Sequence, residues 1–236
     1  MDLQIDLRPI GGKKSERVYE VLKQAILFRQ FPPDTQFLET SIAGKFGCSQ
    51  STVREALLRL DEDGLVKRSG YQGTRVTDTS LAEAVEMIRV RLSIERGVAH
   101  AISANGVEKH RAELDKIITE MDRATEDGDL YRRSSLDRAF HSKLAEAAGM
   151  GLLSPLLERC ALHIHRYTLS GIDVPREFFQ ESGIGDEHRA LLAEMTSSDP
   201  ICAEKAIVMH LAQVLKRWAP SLFSAVGAAA FDTNPK

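Results

Sequence analysis

Four residues in the C-terminal two thirds of the chain have the types and spacing of a metal site. Asp137 and His141 are four positions apart in a segment with helical periodicity, so both side chains project from one face of that helix. His188 and His210 each lie among apolar residues, where a neutral imidazole needs a polar partner. One carboxylate and three imidazoles suit a borderline divalent ion such as Zn²⁺, with Ni²⁺ and Mn²⁺ as alternatives. The competing interpretation is that these are buried histidines hydrogen-bonded to the backbone or to a carboxylate.

A second set of residues, near the N-terminus, suits contact with DNA. Ser49, Gln50 and Thr52 open a predicted helix, and Arg54 follows one turn later. Hydroxyls and N–H groups at a helix start can hold phosphates, whereas Gln and Arg can make paired hydrogen bonds to adenine or guanine edges. Further cations flank this helix, namely Lys45, Lys67, Arg68 and Arg75. The alternative is that Ser49 only caps the helix and Arg54 is a solvated surface charge.

The elements that must position the DNA-contacting set form a compact N-terminal pattern. We predict helices over residues 15–28, 39–46 and 49–63, and strands over residues 65–68 and 74–77. Ser15 and Ser49 are the predicted N-caps, and Gly64 supplies a left-handed exit from the third helix. This order of helices followed by a hairpin is that of a winged helix-turn-helix, which we assign to residues 8–78.

The remaining sequence is predicted to be an antiparallel bundle of about six helices, so the fold class is mainly α. The predicted helices cover residues 81–104, 107–127, 130–148, 152–170, 186–197 and 201–222. Short Gly-, Asn-, Asp- or Pro-containing loops join most of them, which favours antiparallel neighbours. We assign residues 80–225 to this domain and expect a loose tail from Gly227 onward.

The charge distribution, the cysteines and the lack of long apolar runs limit the class of protein to which the chain can belong. The formal charge of −3 is unevenly distributed: residues 8–78 are mildly basic and residues 79–236 are acidic. The three cysteines are far apart and form no CxxC pair, which is typical of a reducing compartment. Neither a signal peptide nor an apolar run of about 20 residues is apparent. We therefore expect a soluble, cytoplasmic protein with no membrane contact.

Residues 15–76 resemble the DNA-binding domain of the GntR family of bacterial transcription regulators. The resemblance rests on Val-Arg-Glu-Ala-Leu at 53–57, Gly-Leu-Val at 64–66 and Gly-Thr-Arg-Val at 73–76. It implies that Arg54 and the preceding Ser49, Gln50 and Thr52 contact double-stranded operator DNA. It also implies that Gly70 and Gln72, at the tip of the hairpin, reach the minor groove.

The sequence departs from this family pattern at three positions. Thr40 and Gln50 stand where many relatives have arginine, and Thr52 stands where proline is common. Two potential contacts to guanine or phosphate are therefore missing, so the operator preference of relatives does not transfer to this chain.

Residues 137–144, 187–191 and 210–211 resemble the ligand-bearing segments of the FCD domain, the effector-binding domain of the FadR-like GntR branch. The four residues singled out above all have counterparts there, which implies a metal-containing member and not an acyl-CoA-binding one. The resemblance also implies a small carboxylate effector that meets the metal and an arginine of the first helix. Arg91, four residues before Glu95, matches that arginine, and His165 is a further candidate for the pocket wall. The alternative is an exposed Arg91 that pairs only with Glu95.

Together these patterns predict a homodimeric transcription regulator, more specifically a repressor, that responds to a small carboxylate or sugar acid. Two other classes compete with it. A metal-dependent hydrolase would need a general base beside the metal, and no HExxH or similar motif occurs, so we expect no enzyme. An architectural DNA-binding protein would bind DNA without responding to any metabolite.

Overall fold

The computed structural model describes residues 13–69, 73–170, 183–197 and 199–233 of the 236-residue chain. The chain forms two compact units, Met1–Thr79 and Ser80–Lys236. None of the described helices combines the length and the apolar composition needed to span a membrane.

The N-terminal unit is a winged helix-turn-helix with a small antiparallel sheet. Its elements are α1 (Lys14–Leu27), β1 (Gln36–Phe37), α2 (Glu39–Phe46), α3 (Gln50–Glu62), β2 (Val66–Arg68) and β3 (Thr74–Val76). The strand order is β1-β3-β2, and β3 is antiparallel to both neighbours. The predicted order of three helices and a hairpin is confirmed. The sequence does not predict β1, because a two-residue strand is too short to show an alternating pattern.

Apolar and polar contacts together hold α3 against α1. Leu22 on α1 and Leu57 on α3 are completely buried where the two helices pack, and each contributes about 1.5–3 kcal/mol by leaving water. Beside them, Tyr19 Oη donates a hydrogen bond to Asp63 Oδ2 at 2.6 Å, and Lys23 Nζ donates to Tyr19 Oη at 2.7 Å. Burial, together with the hydrogen bond to Asp63, raises the pKa of Tyr19, so its hydroxyl remains a donor.

The tight turn that leads into α3 depends on Gly47. This residue ends α2 in the left-handed region, at φ +57°, where a side chain would be strained. Gly64 likewise has φ +76° after α3, which confirms the predicted left-handed exit. The prediction that Ser15 caps α1 is wrong. The helix begins at Lys14 with Lys13 in the cap position, so Ser15 lies inside the first turn and is buried there.

The C-terminal unit is entirely helical in its described residues. Its helices are α4 (Leu81–Asn105), α5 (Arg111–Glu126), α6 (Leu130–Ala147), α7 (Ser154–Leu169), α8 (Ile184–Met195), α9 (Pro200–Trp218) and α10 (Pro220–Val226). Helix α4 contacts α6, α7, α8, α9 and α10, so it lies at the centre of the bundle. A capping box fixes its start: Ser80 Oγ accepts from the backbone N–H of Glu83, and the Glu83 carboxylate accepts from that of Ser80.

Two predictions near the C-terminus are wrong. The helix predicted over residues 201–222 is divided into α9 and α10, so the described bundle has seven helices where about six were expected. The break falls at Ala219, because Pro220 lacks an N–H and disfavours a helical conformation in the residue before it. The tail is not loose: Ala228–Phe231 forms a 3₁₀ turn, and Arg96 donates to the carbonyl oxygens of Ala230 and Asp232.

Candidate metal centre and nucleic-acid interface

The N-terminal end of α3 has the properties of an anion-binding helix terminus. The Ser49 hydroxyl accepts from the backbone N–H of Thr52 at 3.2 Å, which confirms Ser49 as the N-cap. It also forms hydrogen bonds with the hydroxyls of Ser51 and Thr52. The first turn contains no acidic residue, and Gln50 is exposed beside it. Exposed hydroxyl, amide and N–H groups at the positive end of a helix dipole suit a phosphate backbone.

Arg54 extends from α3 and is held by an acidic residue of α2. Its side chain is 57% exposed, and its Nε lies 2.7 Å from Glu39 Oε2. The ion pair fixes the direction of the guanidinium while the side chain stays accessible to a partner.

The other predicted DNA-contacting residues belong to the hairpin. Lys67 is exposed on β2, and the neighbouring Arg75 on β3 donates to the Asp34 carbonyl oxygen at 2.8 Å. Gly70 and Gln72, predicted at the hairpin tip, lie outside the described residues.

In the C-terminal unit, the four predicted metal-ligating residues lie together. Asp137 and His141 come from α6, His188 from α8 and His210 from α9, and one ligand atom of each lies within 4.8 Å of the others. The three histidines are buried, and Asp137 is nearly so. Phe140, completely buried between the helices, contacts His141 and His188 edge to face and restricts both rings.

The orientation of His188 directs its Nε2 into the cluster. Its Nδ1 lies 2.8 Å from the carbonyl oxygen of Ile184, which can only accept, so Nδ1 carries a proton. Its Nε2 lies 3.2 Å from the carboxylate oxygen Asp137 Oδ1, within hydrogen-bond distance. An imidazole nitrogen and a carboxylate oxygen in this position can share a proton or bind one metal ion.

His141 is the most deeply buried of the three histidines. Its Nδ1 lies 3.1 Å from Glu95 Oε2 and its Nε2 lies 3.7 Å from Asp137 Oδ1, but neither nitrogen makes a hydrogen bond in the described structure. Burial lowers the pKa of His141, and the carboxylates of Glu95 and Asp137 outweigh this effect, so the net pKa is raised. The surroundings of this ring thus favour positive charge, which a proton or a metal ion can supply.

Arg91 is buried and pairs with Glu95. The alternative interpretation of the sequence, an exposed Arg91, is therefore wrong. Arg91 Nε donates to Glu95 Oε1 at 2.6 Å, and both side chains are 3% exposed. Arg91 Nη2 also lies 3.9 Å from Asp137 Oδ2. Burial raises the pKa of Glu95, but the charges of Arg91 and His141 hold it at about 2. An anionic Glu95 thus faces His141 Nδ1, the arrangement in which a carboxylate orients a ligating imidazole.

His165 contacts the same carboxylate from another side. Arg138 Nη1 donates to His165 Nδ1 at 2.9 Å, because a guanidinium can only donate. Nε2 must then carry the ring proton, and it lies 3.2 Å from Asp137 Oδ2. Burial lowers the pKa of His165 to about 4, so the ring is neutral. His165 therefore holds Oδ2 of Asp137 and leaves Oδ1 to His141 and His188.

The donor atoms of this cluster fit a divalent cation. Burial raises the pKa of Asp137, but the three neighbouring histidines hold it well below its usual range, so the group is anionic. Burial and the adjacent imidazoles lower the pKa of His210, which keeps that ring neutral. A carboxylate oxygen and imidazole nitrogens are the ligands that Zn²⁺ and similar ions prefer, and those of His141 have no other hydrogen-bond partner.

A cavity of about 80 Å³ opens beside the cluster. Its wall includes Asp137 and His188 from the cluster, together with Arg91 and His165. Both residues predicted to bind an effector thus line a space that adjoins the possible metal ligands.

Comparison with known proteins agrees with this two-part arrangement. The family model for bacterial regulatory proteins of the gntR family matches residues 14–76, and the model for the FCD domain matches residues 86–213. The chain belongs to the gntR family. It is a member whose C-terminal unit is an FCD domain, and this family consists of transcriptional regulators, not enzymes.

Relatives of this gntR-family regulator are named as transcriptional repressors. It is 27% identical to the "Probable D-xylose utilization operon transcriptional repressor" of Paenarthrobacter nicotinovorans, over 88% of this chain and 89% of that protein. It is 24% identical to the repressor RspR of Escherichia coli K12, over 85% and 86% of the two chains. It is also 27% identical to the repressor NanR of Citrobacter rodentium, over 89% and 88%.

A solved structure supports the fold. Escherichia coli McbR/YncC superposes with a TM-score of 0.67 and 20% identity, covering 91% of this chain and 99% of that one. At this identity the likeness concerns the fold alone.

Sequence reasoning missed two residues around the cluster of this gntR-family regulator. From the sequence, Glu95 is paired only with Arg91, and Arg138 is included in the segment 137–144 without a role. Only the positions of these two residues along the chain could have drawn attention to them. Glu95 lies on α4, with α5 between it and the first residue of the cluster, and Arg138 directly follows Asp137. Their roles depend on how α4, α6 and α7 pack, which the spacing along the chain does not encode.

Proposed function

We propose that the protein is a homodimeric repressor that releases operator DNA when a small carboxylate binds beside a metal ion in the FCD domain. The observation that carries this proposal is the buried cluster of Asp137, His141, His188 and His210, which adjoins a cavity and in which neither ring nitrogen of His141 makes a hydrogen bond. A structural role alone would favour buried polar groups that satisfy one another.

For operator binding, α3 is the proposed recognition helix. Arg54 would meet a base edge or a phosphate, because it is exposed and directed by Glu39. Ser49, Gln50 and Thr52 would contact the backbone at the start of the helix, and Lys67 would add a cation from the hairpin. Gly70 and Gln72 belong to the same proposal through the family resemblance.

In the FCD domain, the four residues of the cluster would hold the ion, which we propose to be Zn²⁺, with Ni²⁺ or Mn²⁺ as alternatives. The bound ion would supply positive charge and an open coordination position to an anionic effector. Glu95 would orient His141, and His165 would orient Asp137. The terminal nitrogens of Arg91 would pair with the effector carboxylate, since its Nε is occupied by Glu95.

A homodimer follows from the way such helices read DNA. Two copies of α3 related by two-fold symmetry would engage a pseudo-palindromic operator, each copy in its own major groove. A chain with a net charge of −3 has few surplus cations for nonspecific binding, so affinity would depend on both half-sites. Effector binding would weaken this interaction by a coupling free energy of about 1–3 kcal/mol.

The test uses the full chain and DNA from upstream of its own gene. Fluorescence anisotropy would measure operator affinity with the protein loaded with Zn²⁺ or stripped by a chelator, with and without a panel of short carboxylates. We expect at least one carboxylate to weaken operator binding by the metal-loaded protein about 5–150-fold, and to have no effect on the stripped protein. Release that is equal in the two states would refute the metal-dependent mechanism.

A further inference from the structure

The cavity beside the metal cluster is lined largely by apolar side chains. The side chains that form this wall come from four helices and are Ile88, Leu130, Ile164, Val214, Leu215 and Trp218. Most of them are buried even though they face the cavity. A ligand in this space would therefore bring most of its surface against hydrocarbon.

The polar groups along the rest of the wall are already engaged with protein atoms. Ser134 Oγ donates to the Tyr131 carbonyl oxygen at 2.9 Å, and Thr168 Oγ1 donates to that of His165 at 3.1 Å. The carboxylate of Glu187 accepts from Arg217 at 3.0 Å. The two hydroxyls have thus used their donor hydrogens and can only accept from a ligand, and Arg133, also in the wall, lies over the Trp218 ring.

Another group of polar residues in the wall lies around the Asp137 carboxylate and suits an anion. Arg91 is there, beside the Asp137 and His188 members of the cluster. Both nitrogens of His165 are occupied, one by Arg138 and the other by Asp137, so this ring offers its face and not a further hydrogen bond. The cavity thus provides one place for a charged head and a separate apolar region for the rest of the molecule.

The size of the cavity limits the apolar part. Its volume of about 80 Å³ is below that of an engineered protein cavity of about 150 Å³ that binds benzene. A short alkyl tail or a single ring partly within the cavity is compatible with this space, and a long acyl chain is not.

We propose that the effector is a carboxylate with a short apolar tail, and not the sugar acid that the sequence also allowed. This inference rests on the proposed function of the cavity as the effector site. A sugar acid would bury hydroxyl groups against the hydrocarbon wall without partners, and each such hydroxyl lowers affinity about tenfold. An alkyl or aryl tail gains affinity from the same wall.

Hexanoate and D-gluconate test the proposal, because they share a carbon chain and differ in its hydroxyl groups. Isothermal titration calorimetry of the Zn²⁺-loaded full chain would compare them, with benzoate as a compact ring and hexan-1-ol as a tail without the charge. We expect hexanoate or benzoate to bind at least about tenfold more tightly than gluconate, and hexan-1-ol more weakly than hexanoate.

A matched pair of variants locates the tail. Val214→Thr places a hydroxyl in the cavity wall at nearly constant volume, whereas Val90→Thr makes the same change on an exposed part of α4 away from the cavity. We expect Val214→Thr to weaken hexanoate binding about fivefold and Val90→Thr to leave it unchanged. Equal affinity in both variants would overturn the proposed position of the tail.

The outcomes separate this inference from the function on which it rests. Gluconate binding as tightly as hexanoate, with release of operator DNA, would overturn the apolar tail and leave the metal-dependent repressor intact. Failure of hexanoate, benzoate and gluconate alike to bind the metal-loaded protein, while it still binds operator DNA, would overturn the effector site itself.

Discussion

Both units of the protein bury polar side chains, but the groups are arranged differently. In the N-terminal unit, Tyr19, Lys23 and Asp63 form an unbroken set of hydrogen bonds between α1 and α3. In the C-terminal unit, both ring nitrogens of His141 and Oε2 of Glu95 are buried without a hydrogen bond. The first arrangement is complete without a ligand, whereas the second has the ligand atoms that a bound cation, as proposed above, would complete.

The two units also differ in where they place the groups that are proposed to bind a partner. The N-terminal unit uses buried polar groups to hold α3 in place, and Arg54, the group proposed to contact DNA, is exposed. The C-terminal unit keeps its proposed ligand-binding groups inside, where a low dielectric strengthens their interaction with a cation. Substitutions in the two networks should therefore have different consequences.

The largest effect is expected for His188→Ala. This change removes the Nε2 that faces Asp137, and the loss of one ligand from a structural Zn²⁺ site weakens binding by about 3 kcal/mol, or more than about a hundredfold. Competition with a chromogenic chelator would measure the affinity for Zn²⁺. The control is His100→Ala, since His100 is 52% exposed and pairs with Glu204 away from the cluster. Equal affinity in the two variants would contradict a role for His188 as a ligand.

Arg54→Ala tests the exposed side of the comparison. Loss of a charged contact to a base or phosphate should weaken operator binding by about 1–3 kcal/mol, with melting temperature and Zn²⁺ affinity unchanged. Anisotropy with an operator fragment is the measurement. Arg111→Ala removes an arginine of similar exposure from α5 and serves as the control. If both variants bind the operator like the unsubstituted protein, α3 is not docked through Arg54.

Glu95→Gln tests whether the buried carboxylate orients the proposed metal ligand His141 or only neutralises Arg91. We expect Zn²⁺ affinity to fall about 10–100-fold, because an amide orients His141 less strongly than a carboxylate does. Glu86→Gln, on the exposed face of the same helix, should leave affinity unchanged. A lower melting temperature with unaltered Zn²⁺ affinity would show that Glu95 only neutralises Arg91.

The smallest effect is expected for Tyr19→Phe. The phenyl ring retains the packing but loses the hydrogen bonds to Lys23 and Asp63, at a cost of about 1–2 kcal/mol in the free energy of unfolding. Urea denaturation would measure it, with Tyr167→Phe in the other unit as the control. Zn²⁺ affinity should not change; if it falls, the buried network of the N-terminal unit is not independent of the cluster.

Helices and strands are predicted well where the apolar spacing continues over several turns and where glycine or proline marks the end of an element. The order of helices and strands in the N-terminal unit follows from apolar spacing, Gly47 and Gly64. The division between α9 and α10 was missed because the apolar pattern continues across Pro220, although the proline itself was a signal. The ordered turn at residues 228–231 was missed because four residues are too few to show a periodic apolar pattern. This turn is held by Phe231, which stacks on Phe223.

The candidate site is predictable only in part, for a related reason. The i, i+4 spacing of Asp137 and His141 puts two groups on one face of a helix, and this relation is local. The approach of His188, His210 and Glu95 depends on the packing of separate helices and is visible only in three dimensions. The family resemblance suggested the two histidines, but it did not suggest the part played by Glu95.

Helix α4 gives the C-terminal unit a mechanical property. It begins at Leu81, directly after the last residue of the N-terminal unit and the Ser80 cap, and continues without interruption past Arg91 and Glu95. At about 1.5 Å per residue, Arg91 is about 15 Å along the helix axis from that start. A continuous hydrogen-bonded helix of this length is stiff, so Arg91, Glu95 and the point where the chain enters the bundle belong to one rigid element.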